Sequence, residues 1–496
     1  MLETIALDDF ARKKLSMFHQ LLELDDGIYS TRHFKQFTEL SYARLVSLFA
    51  EMNDDLNQQS NIALLTDEGK IMIEKEALIQ ISYEQYLFQE SIAYKFLFAS
   101  LFEKNYRLED FCEKNFISRA SALRKLQPLI SYIKKFDINI NCSKMKITGN
   151  EATIRILYFN FFWLTSFGED FFTVLNEERR GLELFDSEDK QWMTYVEPRQ
   201  WFLLISINRL RIEKGFYLGV TPFDQLIYPE TNFSFLEELR VRGVTEKHRL
   251  RERDFLSYML FYWNPFLHAN DPRLTYVKSY MLDNHHPLGE LINQFQTFYM
   301  GFLDGITLSE EESDLLHANI FTTFLNHASR EASLPLSVDF SYELFKKNHP
   351  LFDPLYEKIQ DYLVKASQRS QYVWINNCLN HLVYSCTLFL LPFYEKSKNN
   401  HQLHVGVILF QNAMVSQSLS RFLAKIPFVQ AELITSSAKE EYDFYIATSP
   451  LLLSKNTRRK GNFKLIALNE MENYQAILLS SLLEKYEEKV NTFMAG

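Results

Sequence analysis

Apolar positions three and four residues apart recur through most of the chain, and they give way to short alternating runs in only a few places. The first period is that of a helix with one buried face, and alternation is that of a half-buried strand. Between residues 151 and 395 the pattern predicts helix after helix. The segments 151–167, 199–214, 233–241 and 251–263 make one block, and 288–303, 309–328, 351–364 and 372–391 make another of similar size. The stretch from Asp271 to Pro287 reads as a turn-rich join between them. From His404 the character changes. The runs 404–410, 428–435, 442–447 and 463–468 read as strands, and 416–424 and 471–491 as helices. Strands alternating with helices predict a small parallel sheet.

Before residue 151 the pattern makes two smaller elements of similar design. In 1–75, segment 15–24 is amphipathic, 29–37 is a short helix, 40–53 is a second helix, and 62–65 and 70–73 flank Asp67 to Gly69 as a hairpin. A single long helix over 76–104 is predicted to lead onward, with Ile81, Tyr86, Leu87, Ile92, Phe96 and Leu97 inward. Leu108, Phe111 and Cys112 then form the inner face of a short helix ending near Asn115. Ser118 is a good N-cap for the next helix. Its inward positions Ala122, Leu123, Leu126, Leu129, Ile130 and Ile133 run past Pro128, which is expected to kink or divide it. Two short helices joined by a tight turn are the helix-turn-helix outline, whose second helix enters the major groove. Residues 138–140 and 145–147 alternate around 141–144 as a small wing.

Charge distinguishes the second element from the first. Between Lys104 and Ile147 there are ten Lys/Arg against four Asp/Glu, within a chain of net charge −10. A local basic patch on an acidic protein is the footprint of a phosphate-backbone binder. Ser118 opens the second helix, and Arg119, Ser121, Arg124 and Lys125 lie mainly on its polar side, near the end where base edges and phosphates are met. Lys144 and Lys146 belong to the wing. The solvated face of an ordinary helical hairpin would carry similar charges. In the first element the corresponding helix, with Ser41, Tyr42 and Arg44, has little positive charge, so Arg44 suits a structural role at least as well as base readout.

Composition adds limits. A chain of 496 residues exceeds the roughly 250–300 that one core supports, so several domains are expected. Only 14 Gly and 13 Pro agree with helices joined by few long loops, and 43 Phe and 26 Tyr supply their cores. Cys112, Cys142, Cys378 and Cys386 show no CxxC spacing, so neither a zinc site nor a disulfide framework is expected. The sequence opens without a basic-then-apolar leader and contains no run of eighteen apolar residues, so the expected location is cytoplasmic, without a membrane partner.

Catalytic chemistry finds little purchase. The strand-loop-helix at 410–419 would place a helix N-terminus at an anion, yet residues 411–416 hold no glycine, lysine or cysteine, which disfavours a P-loop or phosphocysteine loop. Imidazoles can accept a phosphoryl group. His317 lies beside Leu315, Leu316 and Ile320; His327 is about 80° away around the same helix. His381 sits between Leu379 and Leu382, and His285 and His286 precede Pro287. A lone histidine on a helical face is more often a satisfied structural residue than a functional one. With no Ser/His/Asp set, HExxH or paired carboxylates to be read, no catalytic residue, metal or cofactor is expected, and the chain is not expected to be an enzyme.

Taken in order, these parts resemble the Mga/AtxA family of Gram-positive transcription regulators. The likeness is carried by Ser118-Arg-Ala-Ser-Ala-Leu-Arg-Lys-Leu126 and by the junction Ile147-Thr-Gly-Asn-Glu151-Ala-Thr-Ile-Arg155. Residues 205–215, Ile205-Ser-Ile-Asn-Arg-Leu-Arg-Ile-Glu-Lys-Gly215, look like a piece of a regulatory domain of the phosphotransferase system. The resemblance spans essentially the whole chain and implies a mainly α, multidomain fold. Two winged helix-turn-helix domains would occupy 1–75 and 76–150, the second being the main reader of double-stranded DNA. Two all-α regulatory bundles would occupy 151–280 and 281–395, and an enzyme IIB-like α/β domain with a small parallel sheet 396–496. It further implies a regulator of virulence or carbohydrate response, a homodimer or larger homo-oligomer formed through the C-terminal half, and phosphocarrier proteins as partners. Phosphorylation would fall on regulatory-domain histidines, for which His317 and His381 are the candidates. Departures are plain: Phe202 and Met259 stand where related domains carry histidines, and the IIB-like part lacks its phosphocysteine. Reduced phosphate input is therefore expected. Two other readings share some parts: an RNA-binding antiterminator, which would begin with a small β-rich module, and a phosphoryl-transfer component of sugar transport, which would need the missing cysteine.

Overall fold

Five side chains fix where the helices of the N-terminal region begin. Asp8, Ser41, Ser91, Ser118 and Asn150 each accept a backbone N–H from two or three residues ahead, at 2.9–3.4 Å. Such a cap contributes about 1 kcal/mol and sets the register of everything after it. The computed structural model describes residues 2–175, 197–220, 233–263, 265–281, 288–303, 306, 308–328, 349, 351–398, 403–408, 419–426, 428–434, 442–454, 457–458, 461–466 and 474–494.

The first element comprises α1 (Leu2–Ala6), α2 (Asp9–Glu23), β1 (Gly27–Tyr29), a 3-10 turn (His33–Phe37), α3 (Tyr42–Ser60) and β2 (Ile71–Ile73). The expected hairpin of 62–65 with 70–73 is reduced to one antiparallel bridge, Leu65 opposite Ile71, flanked by backbone bonds from the Met72 N–H to Leu64 at 2.8 Å and from the Thr66 N–H to Lys70 at 2.9 Å. Helix α3 runs on to Ser60, and the Asn53 side chain then takes the N–H groups of Leu64 and Leu65 at 2.9 and 3.0 Å. β2 also pairs antiparallel with β1, Gly27 opposite Ile73. Buried Lys14 of α2 joins Asp55 of α3 at 2.9 Å, and Tyr83 donates to the same carboxylate at 2.7 Å.

The single helix expected over 76–104 is three: α4 (Lys75–Ile79), α5 (Tyr83–Glu90) and α6 (Ile92–Phe102). Ser91 is extended (φ −66°, ψ 146°) and caps Tyr94, which ends one helix and starts the next. The second element follows as α7 (Leu108–Lys114), α8 (Arg119–Ile133), and an antiparallel wing of β3 (Asn139–Asn141) and β4 (Lys146–Thr148), Ile140 opposite Ile147. Pro128 does not divide α8. It lies with Arg124 on the exposed side, where water can take the carbonyl bond that proline cannot. Helix α1 packs on α6 and α8, so the N-terminal helix supports the second element.

At the wing's end, Gly149 has φ +151°, and a Cβ there would stand 2.8 Å from the Asp137 carbonyl oxygen. Asn150 then caps α9 (Glu151–Ser166), which with α10 (Glu169–Leu175), α11 (Pro198–Glu213), α12 (Ser234–Val241) and α13 (Glu246–Tyr258) makes the first helical block. A buried ion network ties α9, α11 and α13. Arg155 reaches both oxygens of Glu252, Glu151 at 3.0 Å and Asn208 at 3.0 Å, while Arg211 holds Glu151 at 2.6 Å.

The expected turn-rich join contains α14 (Arg273–Met281). Asp271 and Arg273 are both buried and pair at 2.6 Å, and the Asp271 carboxylate accepts the Arg273 N–H that starts the helix. Residues 282–287 lie outside those described. Helices α15 (Gly289–Met300) and α16 (Glu310–Ala328) follow, then Phe352–Ser367 and Ile375–Lys398, the last interrupted at Cys378. Helix α14 packs on α16, whose Asn319 side chain holds the Phe266 backbone by two hydrogen bonds of 2.8 and 2.9 Å.

Two compact units result. One comprises Met1–Asn293, Ser309–Phe345 and Lys358–Cys386; the other comprises Gln294–Leu308, Lys346–Glu357 and Thr387–Gly496. The second carries a four-stranded, wholly parallel sheet of β5 (Leu403–Ile408), β6 (Val429–Leu433), β7 (Phe444–Ala447) and β8 (Phe463–Leu465), in the order β6-β5-β7-β8. Leu478 and Leu482 of the helix Tyr474–Met494 join Val405 and Ile446 in its core. The loop 411–416 lies outside the described residues. The chain is thus mainly α and multidomain. Among the described residues no helix is long and apolar enough to cross a membrane.

Candidate nucleic-acid interface

The turn between α7 and α8 closes with two backbone bonds, Ile117 N–H to Cys112 at 3.0 Å and Phe116 N–H to Glu113 at 3.2 Å. This is the usual closure of a helix on a left-handed residue, a place taken most often by glycine. Here it is Phe116, with φ +50° and a 98% exposed ring. Left-handed backbone with a Cβ costs about 1–2 kcal/mol. Phe116→Gly should therefore raise stability by about 0.5–1 kcal/mol after glycine's greater unfolded freedom is subtracted. A denaturant midpoint that falls instead would contradict this account of the turn.

Ser118 spends its hydroxyl oxygen on the Ser121 N–H at 3.2 Å, leaving α8 to begin with its first turn exposed. Arg119 bridges the element, pairing with Glu109 of α7 at 2.7 Å and donating to Ser143 of the wing turn at 3.2 Å. Both partners of that ion pair are more than half exposed, so the pair is worth little and its release to a phosphate is cheap. Arg124 is exposed, and its guanidinium reaches the Ser121 hydroxyl at 3.4 Å. Among the described residues no carboxylate lies within ion-pair distance of Arg124, Lys144 or Lys146. Lys144 and Lys146 are exposed on the wing, Lys146 with its ammonium 5.2 Å from the Phe216 ring centre.

Lys125 differs. It is half-buried and holds Asp8, the cap of α2, at 2.8 Å. Burial pushes the Asp8 carboxyl up, but the Lys125 hydrogen bond and two backbone N–H groups outweigh it and hold the group below its ordinary range. Lys125 thus anchors the N-terminal helices to α8.

Residues 78–162 match the family model of the Mga helix-turn-helix domain. The chain carries an Mga helix-turn-helix domain. Double-stranded DNA is the partner of such a domain, and the chain is to that extent a DNA-binding transcription regulator. The match covers α5 to β4 and enters α9, which packs on β4. No curated protein matches the chain.

Outside the Mga domain, the first element presents Arg44, exposed and likewise without a carboxylate at ion-pair distance among the described residues, beside exposed Tyr42 and Val46 on α3. Lys13 and Asp9 of the same element pair at 2.9 Å, and residues 1–75 hold eight Lys/Arg against thirteen Asp/Glu, so the basic surplus of the Mga domain has no counterpart there. The histidine candidates are separated. His317 is half-buried on α16 with Nδ1 3.4 Å from the Ser313 hydroxyl. His381 faces His327 with ring centres 5.8 Å apart, a pairing that spacing along the sequence did not suggest. Phe202 and Met259 are buried apolar residues, and His285 and His286 lie outside the described residues. Sequence reading also missed Phe116 and the bond of Lys125 to Asp8, because exposure at a turn and a partner more than a hundred residues away leave no local periodicity.

Proposed function

We propose that the chain regulates transcription by reading duplex DNA chiefly through α8 and the wing of the Mga domain, and that it is not an enzyme. The observation that carries this is the exposed Arg124 on a capped α8 beside a wing with two lysines, none of the three with a carboxylate at ion-pair distance among the described residues. Titration of the purified chain onto genomic fragments across a salt series tests it. Preferred duplex fragments, bound with log affinity falling linearly against log salt, are expected. Equal affinity for all fragments, or a preference for RNA hairpins, would sink the reading.

Self-association through the C-terminal half is the second part of the proposal. The helix Tyr474–Met494 exposes Leu479 and Leu483, four apart on one face, and edge strand β6 exposes Leu433. Linked copies would present several Mga domains at once and raise effective concentration on DNA. The double change Leu479→Glu, Leu483→Glu should give a smaller species by light scattering and weaker DNA binding. An unchanged oligomer number would contradict it.

Control by the sugar phosphotransferase system, in a virulence or carbohydrate response, is the third part. Burial lowers the His317 pKa, with Asp314 opposing, which favours the neutral, nucleophilic imidazole at pH 7. Its Nε2 is shielded from solvent, so transfer needs a local opening of α16. Phosphocarrier proteins should label the chain at His317, and His317→Ala should remove the label in mass spectrometry. Undiminished label would refute His317 as the acceptor and turn attention to His381.

A further inference from the structure

Lysines far apart in the sequence converge behind the wing. Lys104 from the loop after α6, Lys144 and Lys146 from the wing, and Lys214 from the end of α11 line one cavity of about 340 Å³, together with Arg211 and Phe216. Its volume is that of a small-molecule site, and no residue of α8 lines it. Arg211 is neutralised by Glu151 and lies 4.0 Å from the centre of the Phe216 ring, forming a fixed floor. The four lysines are different: among the described residues none has a carboxylate within ion-pair distance. Glu103, the acid on the rim, is 3.4 Å from Lys114.

We propose that this cavity binds the phosphate group of a small phosphorylated metabolite between Lys104, Lys144, Lys146 and Lys214. Four lysines lining one concave wall supply N–H donors and a concentrated positive field, which suit a compact dianion. Lys214 is already oriented, since its ammonium donates to the carbonyls of Ser100 at 2.7 Å and Glu103 at 2.5 Å. Burial, then the Arg211 guanidinium, bring Lys214 down to about 8 against the opposing Glu103 carboxylate, and an incoming anion would favour its charged form.

The consequence reaches the DNA-binding surface. The same ligand would touch the wing, which belongs to the Mga domain, and α11, which belongs to the first helical block. Ser100 of α6 also meets Tyr158 of α9 at 2.8 Å, so the wall of the cavity is continuous with the packing of both parts. Occupancy that favours one wing position must change DNA affinity, and DNA must change ligand affinity by the same factor. This inference goes beyond the proposed function and does not need α8 to be the reading helix.

Pyrophosphate and inorganic phosphate, titrated calorimetrically into the full-length chain at pH 7 in dilute chloride buffer, test it. One saturable site per chain is expected, weakened about tenfold by Lys104→Glu and by Lys214→Gln, and unchanged by Arg124→Ala. Lys104 is exposed, so its variant keeps the test valid should Lys214→Gln fail to fold. Duplex DNA added to the complex should shift the phosphate affinity by the same factor by which phosphate shifts the DNA affinity, without abolishing it. Absence of saturable binding overturns the proposal. So does displacement of pyrophosphate by duplex with a reduced salt slope in Lys104→Glu, which would make the cavity a contact for DNA phosphates.

Discussion

Glu252→Ala should destabilise the first helical block by about 3–5 kcal/mol, the usual cost of removing one member of a buried ion pair. Arg155 and Glu252 are both wholly buried, and the guanidinium contacts both carboxylate oxygens. Without Glu252, Arg155 keeps, among the described residues, Glu151, Asn208, the Phe216 carbonyl and the Phe255 ring, and Glu151 already serves Arg211. Arginine cannot shed its proton to escape, so the charge stays buried and undercompensated. Replacing both partners, as in Arg155→Met with Glu252→Leu, should recover much of the loss. Denaturant unfolding of the three chains measures this; a drop below about 1 kcal/mol for Glu252→Ala would show that the network is not structural. Tyr94 contacts Ser166 at 3.0 Å across α6 and α9, so loosening this block should also blunt DNA binding.

Arg124→Ala should weaken DNA binding by about 1–3 kcal/mol, roughly five- to 150-fold, if its guanidinium takes a base edge. At a phosphate instead, the loss would be uniform across sequences and the salt slope would fall by about one. Either result identifies which contact is made. Arg124 is the clean choice because among the described residues its side chain bonds only the Ser121 hydroxyl, whereas Lys125→Ala would also release Asp8 and confound stability with contact. Arg44→Ala is the comparison, with a smaller effect expected. Fluorescence anisotropy on one preferred duplex measures both variants. Equal losses for Arg124→Ala and Arg44→Ala would deny the Mga domain its primacy.

What could be read in the sequence was what depends on neighbours. Ser118 as a cap, the inward face of α8 and the wing around 141–144 are local patterns, and they carry the helix-turn-helix. The C-terminal strands were legible for the same reason, as short apolar runs. The break at Ser91 was not legible because apolar positions keep helical spacing on both sides of it. Pro128 leaves α8 undivided because tolerance of proline depends on which side of the helix meets water. The strand Gly27–Tyr29 was hidden because its partner, Ile71–Ile73, lies more than forty residues on. Asp271 and Arg273 looked like a turn, yet their mutual burial starts α14. The lysine cavity could not be read at all, since it gathers residues 104, 144, 146 and 214, and only folding brings them together.

The central claim is that α8, rather than α3, lies against the DNA. Site-specific photo-crosslinking tests it without removing any proposed contact. A photoreactive residue in place of Ala120, exposed on the first turn of α8, is set against the same residue in place of Val46, exposed on α3. Crosslinks to a preferred duplex from position 120, with few from position 46, are the predicted result. Strong crosslinking from position 46 with none from position 120 would contradict the account.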